Sequence, residues 1–199
     1  MTEKEKMLNG KPYLSFGEGL FEERQAAKEL LFDFNASRPS EFQKRNGIIK
    51  QLLGKTGATF FIEPPFFCDY GYNISLGENF YANTHCVILD CAKVAIGDQV
   101  MLGPNVNLFT AGHPLHHVPR SQGIEYAFPI VIGNYVWIGG GVIVTPGVTI
   151  GDKSVIGAGS VVTRDIPPNS IAVGNPCRVI REIIDEDQRY YFRKLPLEQ

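Results

Sequence analysis

Residues 110–117 read TAGHPLHH and place His113, His116 and His117, three of the four histidines in the chain, within five positions. A neutral imidazole accepts protons near pH 7 and also ligates metals. Such a run can therefore be a metal site, one catalytic base with two neighbours, or an ordinary loop. A zinc site needs Asp, Cys or further His at a recognisable spacing, and nothing nearby completes one, so no metal is expected. Cys68, Cys86, Cys91 and Cys177 form no CxxC pair, which points away from a redox motif or zinc knuckle and toward reduced thiols packed as small apolar groups. LGKTG at 53–57 invites a phosphate-loop reading. That loop requires glycine at position 49, where Ile49 stands, and no strand signal precedes it; Gly54 is expected to end a helix instead.

The bulk properties narrow the classes. A net charge of −2 over 199 residues argues against non-specific nucleic-acid binding, which draws on a basic face. The start, MTEKEKMLNG, lacks the apolar core of a signal peptide, and the most apolar stretch, YVWIGGGVIVTPGVTI, is interrupted by glycines and a proline and is short for a membrane span. A cytoplasmic protein without membrane contact is the expectation.

The elements that must position the histidines fall into two grammars. Residues 1–58 have helical periodicity: Phe21, Ala27, Leu30, Leu31 and Phe34 form one stripe, and Phe42, Ile49, Leu52 and Leu53 another, with Ser40 and Gln43 spaced as a capping box. From Ile132 the chain divides into sixes. The first position is Ile132, Ile138, Val144, Ile150, Ile156 and Val162, and the second is glycine or threonine throughout. A block from Ile96 keeps this register, and residues 76–93 keep it loosely. A six-residue period marks a parallel β-helix in which the aliphatic position points inward and the small residue beside it leaves room to turn. Between the two regular blocks, FTAGHPLHHVPRSQGIEYAFP abandons the repeat; insertions in solenoids loop out, often on a binding face. The histidines lie in it. The segment REIIDEDQRYYF is expected to form a short terminal helix.

The hexads, NFYAN, TAGHPLHH, GNYVWIGGGVIVTPGVTIG, VIGAGSVVT and GNPCRVIR, in this order, together with NASRPSE near the start, resemble the maltose and galactoside O-acetyltransferases. The resemblance spans nearly the whole chain. It implies a mainly β fold: a left-handed parallel β-helix over 59–180 with an inserted loop at about 110–129, an N-terminal helical segment over 1–58, and a C-terminal helix or tail over 181–199. It further implies a homotrimer that binds acetyl-CoA between adjacent subunits and transfers the acetyl group to a small sugar-like acceptor.

On that resemblance His113 is the general base, while His116 and His117 are loop residues and His85 is left open. Asn83 and Asp69 are expected to contact the acceptor, and Glu125 either orients His113 or contacts the sugar. Ser15, with Glu18 three positions on, and Cys91, with Asp90 adjacent, stand where the family has acceptor-binding aspartates; the two replacements imply a shifted acceptor preference. For coenzyme A the matching positions are Gly140, Ala158, Thr163, Arg164, Arg178 and Arg181, with Trp137 walling the pantetheine or packing against a neighbouring subunit. The Gly140 region would supply backbone N–H groups to the oxyanion. The competing readings are the same transfer onto another hydroxyl or an amine, an acetyl-cysteine route through Cys86 or Cys91, a silent β-helix scaffold, and a γ-type carbonic anhydrase-like metal protein.

Overall fold

In the computed structural model, which describes residues 1–17 and 19–197, the body of the chain is a parallel β-helix with three flat faces. Face I stacks Ile74–Leu76, Val94–Ile96, Ile130–Ile132 and Thr149–Ile150. Face II stacks Phe60–Ile62, Phe80–Ala82, Met101–Leu102, Trp137–Ile138, Val155–Ile156 and Ser170–Val173. Face III stacks Phe66–Cys68, Cys86–Leu89, Asn107–Phe109, Ile143–Val144 and Val161–Val162. Each turn of the spiral consumes three hexads, so Ile132 pairs with Ile150, Ile138 with Ile156 and Val144 with Val162.

These first-position side chains are all buried, as the six-residue period predicts. So is the fifth position of the first three hexads, Val136, Val142 and Val148, with Val100 and Val106 in the earlier block. Two inward residues per corner fill the triangular interior, each worth about 1.5–3 kcal/mol of burial. The small second position follows from close approach of neighbouring coils rather than from backbone handedness. A Cβ on Gly139 would lie 2.7 Å from the Ala158 nitrogen, and one on Gly97 would lie 2.6 Å from Asn134 Oδ1. The left-handed backbone falls elsewhere in the corner, at Asn79, Gln99, Tyr135 and Lys153 between faces I and II, and at His85, Asn105, Gly141 and Gly159 between faces II and III. His85 is thus a corner residue.

Helices Leu20–Asn35 and Phe42–Leu52 close the N-terminal end. Ala27, Leu31, Phe34, Ile49, Leu52 and Leu53 join the core of the spiral, which would otherwise be open. Asn35 completes the closure: its amide accepts from Phe66 N at 2.9 Å and donates to Phe66 O at 3.0 Å, pairing the backbone of an edge strand. Phe21 and Phe42, assigned above to the apolar stripes, are 43% and 53% exposed; Leu20 takes the buried position in the first helix. The Ser40–Gln43 box does not form either. Glu41 is the N-cap residue and its carboxylate accepts from Arg38 N.

The C-terminal helix is replaced by strand structure. Arg178–Glu182 runs antiparallel to Ser170–Val173, a 3-10 turn spans Asp185–Arg189, and Tyr190–Phe192 pairs with Leu195–Pro196. Asp187 decides this: its carboxylate accepts from Ile184 N at 2.9 Å and grips the Arg181 guanidinium at 2.7 and 2.8 Å, folding the segment back before a helix can propagate. No helix among the described residues is long and apolar enough to cross a membrane.

Candidate active site

The insertion leaves the spiral at the corner between faces III and I. It forms a strand at Ala111–Gly112, a short helix at His117–Ser121 and a strand at Ile124–Ala127. Gly112 pairs with Tyr126, which brings the two arms together, and the N-terminal strand Tyr13–Leu14 adds to the outer edge with Tyr13 opposite Glu125. A second apolar cluster, Met7, Tyr13, Leu20, Tyr70, Cys91, Ala92 and Ala127, cements this sheet to the spiral. The N-terminal segment thus both caps the solenoid and holds the loop.

These elements enclose a pocket of about 410 Å³. Ser15, Asp69, Cys91, His113 and Glu125 all line it, together with Arg24, Phe16, Leu89, Phe109 and Ala111. Five of the six residues proposed for catalysis and acceptor contact therefore converge. The residues missed from the sequence are Arg24 and its aromatic supports. Arg24 Nη1 donates to the Tyr70 hydroxyl at 2.6 Å, and the guanidinium stands 5.4 Å from the Phe16 ring centroid and 5.6 Å from that of Tyr70. No local motif signals this, because Tyr70 lies 46 residues from Arg24.

His113 Nδ1 lies 3.2 Å from the Ile124 carbonyl. A carbonyl only accepts, so Nδ1 carries the proton and Nε2 is left with a free lone pair. The backbone of the returning arm, not Glu125, sets this tautomer. Glu125 is held by Tyr13 instead, whose hydroxyl donates to Oε2 at 2.8 Å. Across the pocket, Cys91 Sγ donates to Asp69 Oδ2 at 3.5 Å. Burial pushes the Asp69 carboxyl up, and burial with the nearby Asp69 charge pushes the Cys91 thiol well above the ordinary thiol range. Such a thiol is a poor nucleophile, which removes support for an acetyl-cysteine on Cys91; burial also raises the Cys86 thiol, to about 11.

The other two histidines of the run have structural work. His116 is the N-cap of the short helix and its Nδ1 accepts from Val118 N at 3.2 Å, while its ring stacks on His117 at 4.6 Å. Asp90 does not supply the carboxylate missing at Cys91. It is 0% exposed and turned into the spiral. Glu18 lies outside the described residues.

Asn83 is not in the pocket. It sits at the corner between faces II and III, its amide oxygen accepting from Thr84 N at 2.8 Å. Gly140 and Ala158 occupy the same corner two and three coils further on, where Gly159 N donates to Gly140 O at 2.9 Å. This column is poor in side chains, with Gly139, Gly140 and Gly141 followed by Gly157, Ala158 and Gly159. Among the described residues the N–H groups of Gly140 and Ala158 donate to no protein acceptor. A smooth, extended edge with free amides suits a long flexible thioester arm such as pantetheine. Thr163 and Arg164 belong to the corner between faces III and I, beyond the histidine-bearing loop, so the residues expected to hold coenzyme A divide between two edges. Arg178 is exposed, with Nη1 on the Cys177 carbonyl. Arg181 shares a separate groove with Trp137 and Tyr191 and already has its fork filled by Asp187.

Comparison with known proteins agrees with this architecture. Residues 6–57 match the maltose acetyltransferase hexapeptide capping motif, and residues 129–164 match the bacterial transferase hexapeptide (six repeats). The chain is 52% identical over 198 residues to galactoside O-acetyltransferase of Escherichia coli K12, covering 100% of this chain and 98% of the relative. Among solved structures, a maltose O-acetyltransferase from Clostridium difficile 630 superposes with a TM-score of 0.92 at 57% identity, over 93% of this chain and 99% of its own. A galactoside acetyltransferase in complex with coenzyme A superposes with a TM-score of 0.97 at 51% identity, over 100% of both chains. With the capping motif, the hexad spiral and the histidine-bearing loop all in place, the chain belongs to the maltose and galactoside O-acetyltransferase family of hexapeptide-repeat enzymes.

Proposed function

We propose that this enzyme transfers the acetyl group of acetyl-CoA directly to a hydroxyl of a sugar or glycoside bound in the pocket, with His113 as general base. The observation that carries the reading is the anchored His113 ring, its Nδ1–H spent on the Ile124 carbonyl, lining one cavity with Asp69, Glu125 and Arg24. Two carboxylates and a guanidinium around one small cavity suit the hydroxyls of a polyol, which need both acceptors and donors. In the ternary complex Nε2 takes the hydroxyl proton as the oxygen attacks the thioester carbonyl. The oxyanion is met by backbone N–H groups of the Gly140 corner, and the departing thiolate recovers the proton from the imidazolium.

The Asn83, Gly140 and Ala158 edge does not reach the pocket of its own chain, so the reading includes a homotrimer in which each pocket is completed by that edge of a neighbour. Leu115, 96% exposed at the tip of the catalytic loop, supports such a contact. Asn83 then approaches the acceptor from the neighbouring copy. Thr163, Arg164 and Arg178 are the candidates for the phosphates, and Arg181 serves only by exchanging its Asp187 partner. Trp137 lies on the outer surface of face II, 52% exposed, available to wall the pantetheine or pack on the neighbour. Four free buried cysteines fit a reducing, cytoplasmic setting.

The test is a free-thiol assay with acetyl-CoA over a panel of sugars, glycosides and amino alcohols, run on wild type and His113→Ala. A sugar or glycoside should be the best acceptor. The variant should lose about 10²–10⁴-fold in kcat with coenzyme A affinity kept; retention of wild-type turnover would remove His113 from the role.

A further inference from the structure

The corner between faces III and I is held by two buried side chains that have no direct contact with the pocket. Asp90 is 0% exposed, and its Oδ1 accepts from Asp69 N at 3.0 Å and Tyr70 N at 2.8 Å. Its Oδ2 accepts from Asn73 N at 3.3 Å, and its backbone carbonyl takes the Asn73 amide at 2.7 Å. One coil on, Thr110 is also 0% exposed; its Oγ1 accepts from Ala92 N at 3.0 Å and donates to Leu89 O at 2.6 Å. Each rung reaches back to the coil before it. Together they tie three layers in series: Asp69 and Tyr70, then Cys91 and Ala92, then the start of the insertion that carries His113.

The fold does not need a buried charge to turn this way. At the corner between faces I and II the same service is given by side chains in contact with solvent: Glu78 accepts from Ala58 N at 2.8 Å, Asp98 from Glu78 N at 2.7 Å, and Asp152 from Asn134 N at 2.7 Å. Among the described carboxylates Asp90 alone does it from full burial, and no cation lies within salt-bridge distance of it among the described residues. An unpaired buried carboxylate is a stability cost that a neutral or exposed residue would avoid. What Asp90 fixes are the pieces of the acceptor site. With the Asp69 and Tyr70 amides drawn inward, the Asp69 carboxylate lies in the pocket against Cys91, and the Tyr70 hydroxyl is placed to receive Arg24.

We propose that Asp90 is a positioning residue for acceptor recognition, holding Asp69 and the Tyr70–Arg24 pair in place through the backbone of residues 69–73, with Thr110 as the second rung that sets their spacing from the His113 loop. The inference rests on the acceptor reading of the pocket, and the test separates the two. Maltose and methyl β-galactoside serve as probes in the free-thiol assay, using whichever the wild type acetylates faster. Asp69→Asn should raise the acceptor KM about tenfold, and Asp90→Asn, which swaps one acceptor oxygen for a donor facing Asn73 N–H, should do the same while leaving the acetyl-CoA KM within about twofold. Combining them should add little to either alone, because both act on one group. Thr110→Val should raise the acceptor KM and Thr110→Ser should restore it. An Asp90→Asn enzyme with unchanged acceptor KM beside an impaired Asp69→Asn enzyme overturns the proposal, and so do fully additive losses. If Asp90→Asn does not fold, the threonine pair decides, and equal behaviour of Val and Ser overturns it. A wild type that acetylates neither probe, or an unimpaired Asp69→Asn enzyme, overturns the acceptor reading underneath.

Discussion

At the scale of single residues, the pocket separates two tasks that a sequence leaves entangled. The Ile124 carbonyl holds the His113 ring, and Glu125, its neighbour in the same strand, accepts from Tyr13 and lines the cavity. Glu125→Gln should therefore raise the acceptor KM several-fold and leave the pH profile of kcat where it is; a displaced profile would return Glu125 to the role of orienting His113. Asp90 carries a pH signature of its own. Burial first, then the neighbouring Asp69 charge, raises its carboxyl to about 6 from an ordinary 3.8, even though the Tyr70 and Asn73 amides pull the other way. The folded state thus holds this proton more tightly than the unfolded chain. The resulting stabilisation is complete below about pH 4 and is lost as the pH rises through 6, about 3 kcal/mol by linkage. Melting temperatures measured across that window should show this downward contribution in the wild type and lack it in Asp90→Asn.

At the scale of elements, each corner of the spiral demands something different of the position it occupies. Gly139 faces the Ala158 backbone with no space for a methyl group, whereas Gly159 has open surroundings and a φ of +71°. Gly139→Ala should cost about 2–4 kcal/mol through forced separation of two coils. Gly159→Ala should cost only about 1 kcal/mol, for left-handed backbone alone. Thermal melts of the two variants give the comparison, and equal losses would contradict the close-approach account of the hexad glycines. The inserted loop is itself a composite element. Its two arms pair with each other, but its outer arm is completed by Tyr13–Leu14, so removal of residues 1–14 should abolish acetyl transfer as well as loosen the N-terminal cap.

At the scale of the whole molecule, the proposed homotrimer accounts for the division of candidate residues between two edges. The loop edge carries His113, Asp69, Thr163 and Arg164; the other carries Asn83, Gly140 and Ala158. If neighbouring copies complete each site, two inactive variants should rescue one another. Co-assembled His113→Ala and Asn83→Ala chains should recover activity at roughly a quarter of their sites by random assortment in a cyclic trimer. A mixture as inactive as its components, in particles shown to be mixed, would place both residues in one chain's site.

The sequence by itself determined the repeat, its inward-facing residues and the position of the insertion that carries the histidines. These are legible because a solenoid is built from contacts that recur at a fixed separation, so each coil restates the same constraint, and a break in it stands out. It also marked Ser15, Asp69, Cys91, His113 and Glu125 as candidates, through likeness to a family. Only the tertiary structure decided that these five share a cavity with Arg24, that Asn83 does not, that Ile124 rather than Glu125 holds the imidazole, and that the tail folds into strands around Asp187 instead of a helix. Those outcomes depend on pairings such as Tyr13 with Glu125, 112 residues apart, and on corner side chains stacked about one coil from their partners. Such contacts are selected by packing around a common corner, and packing of that kind leaves no local pattern in the chain.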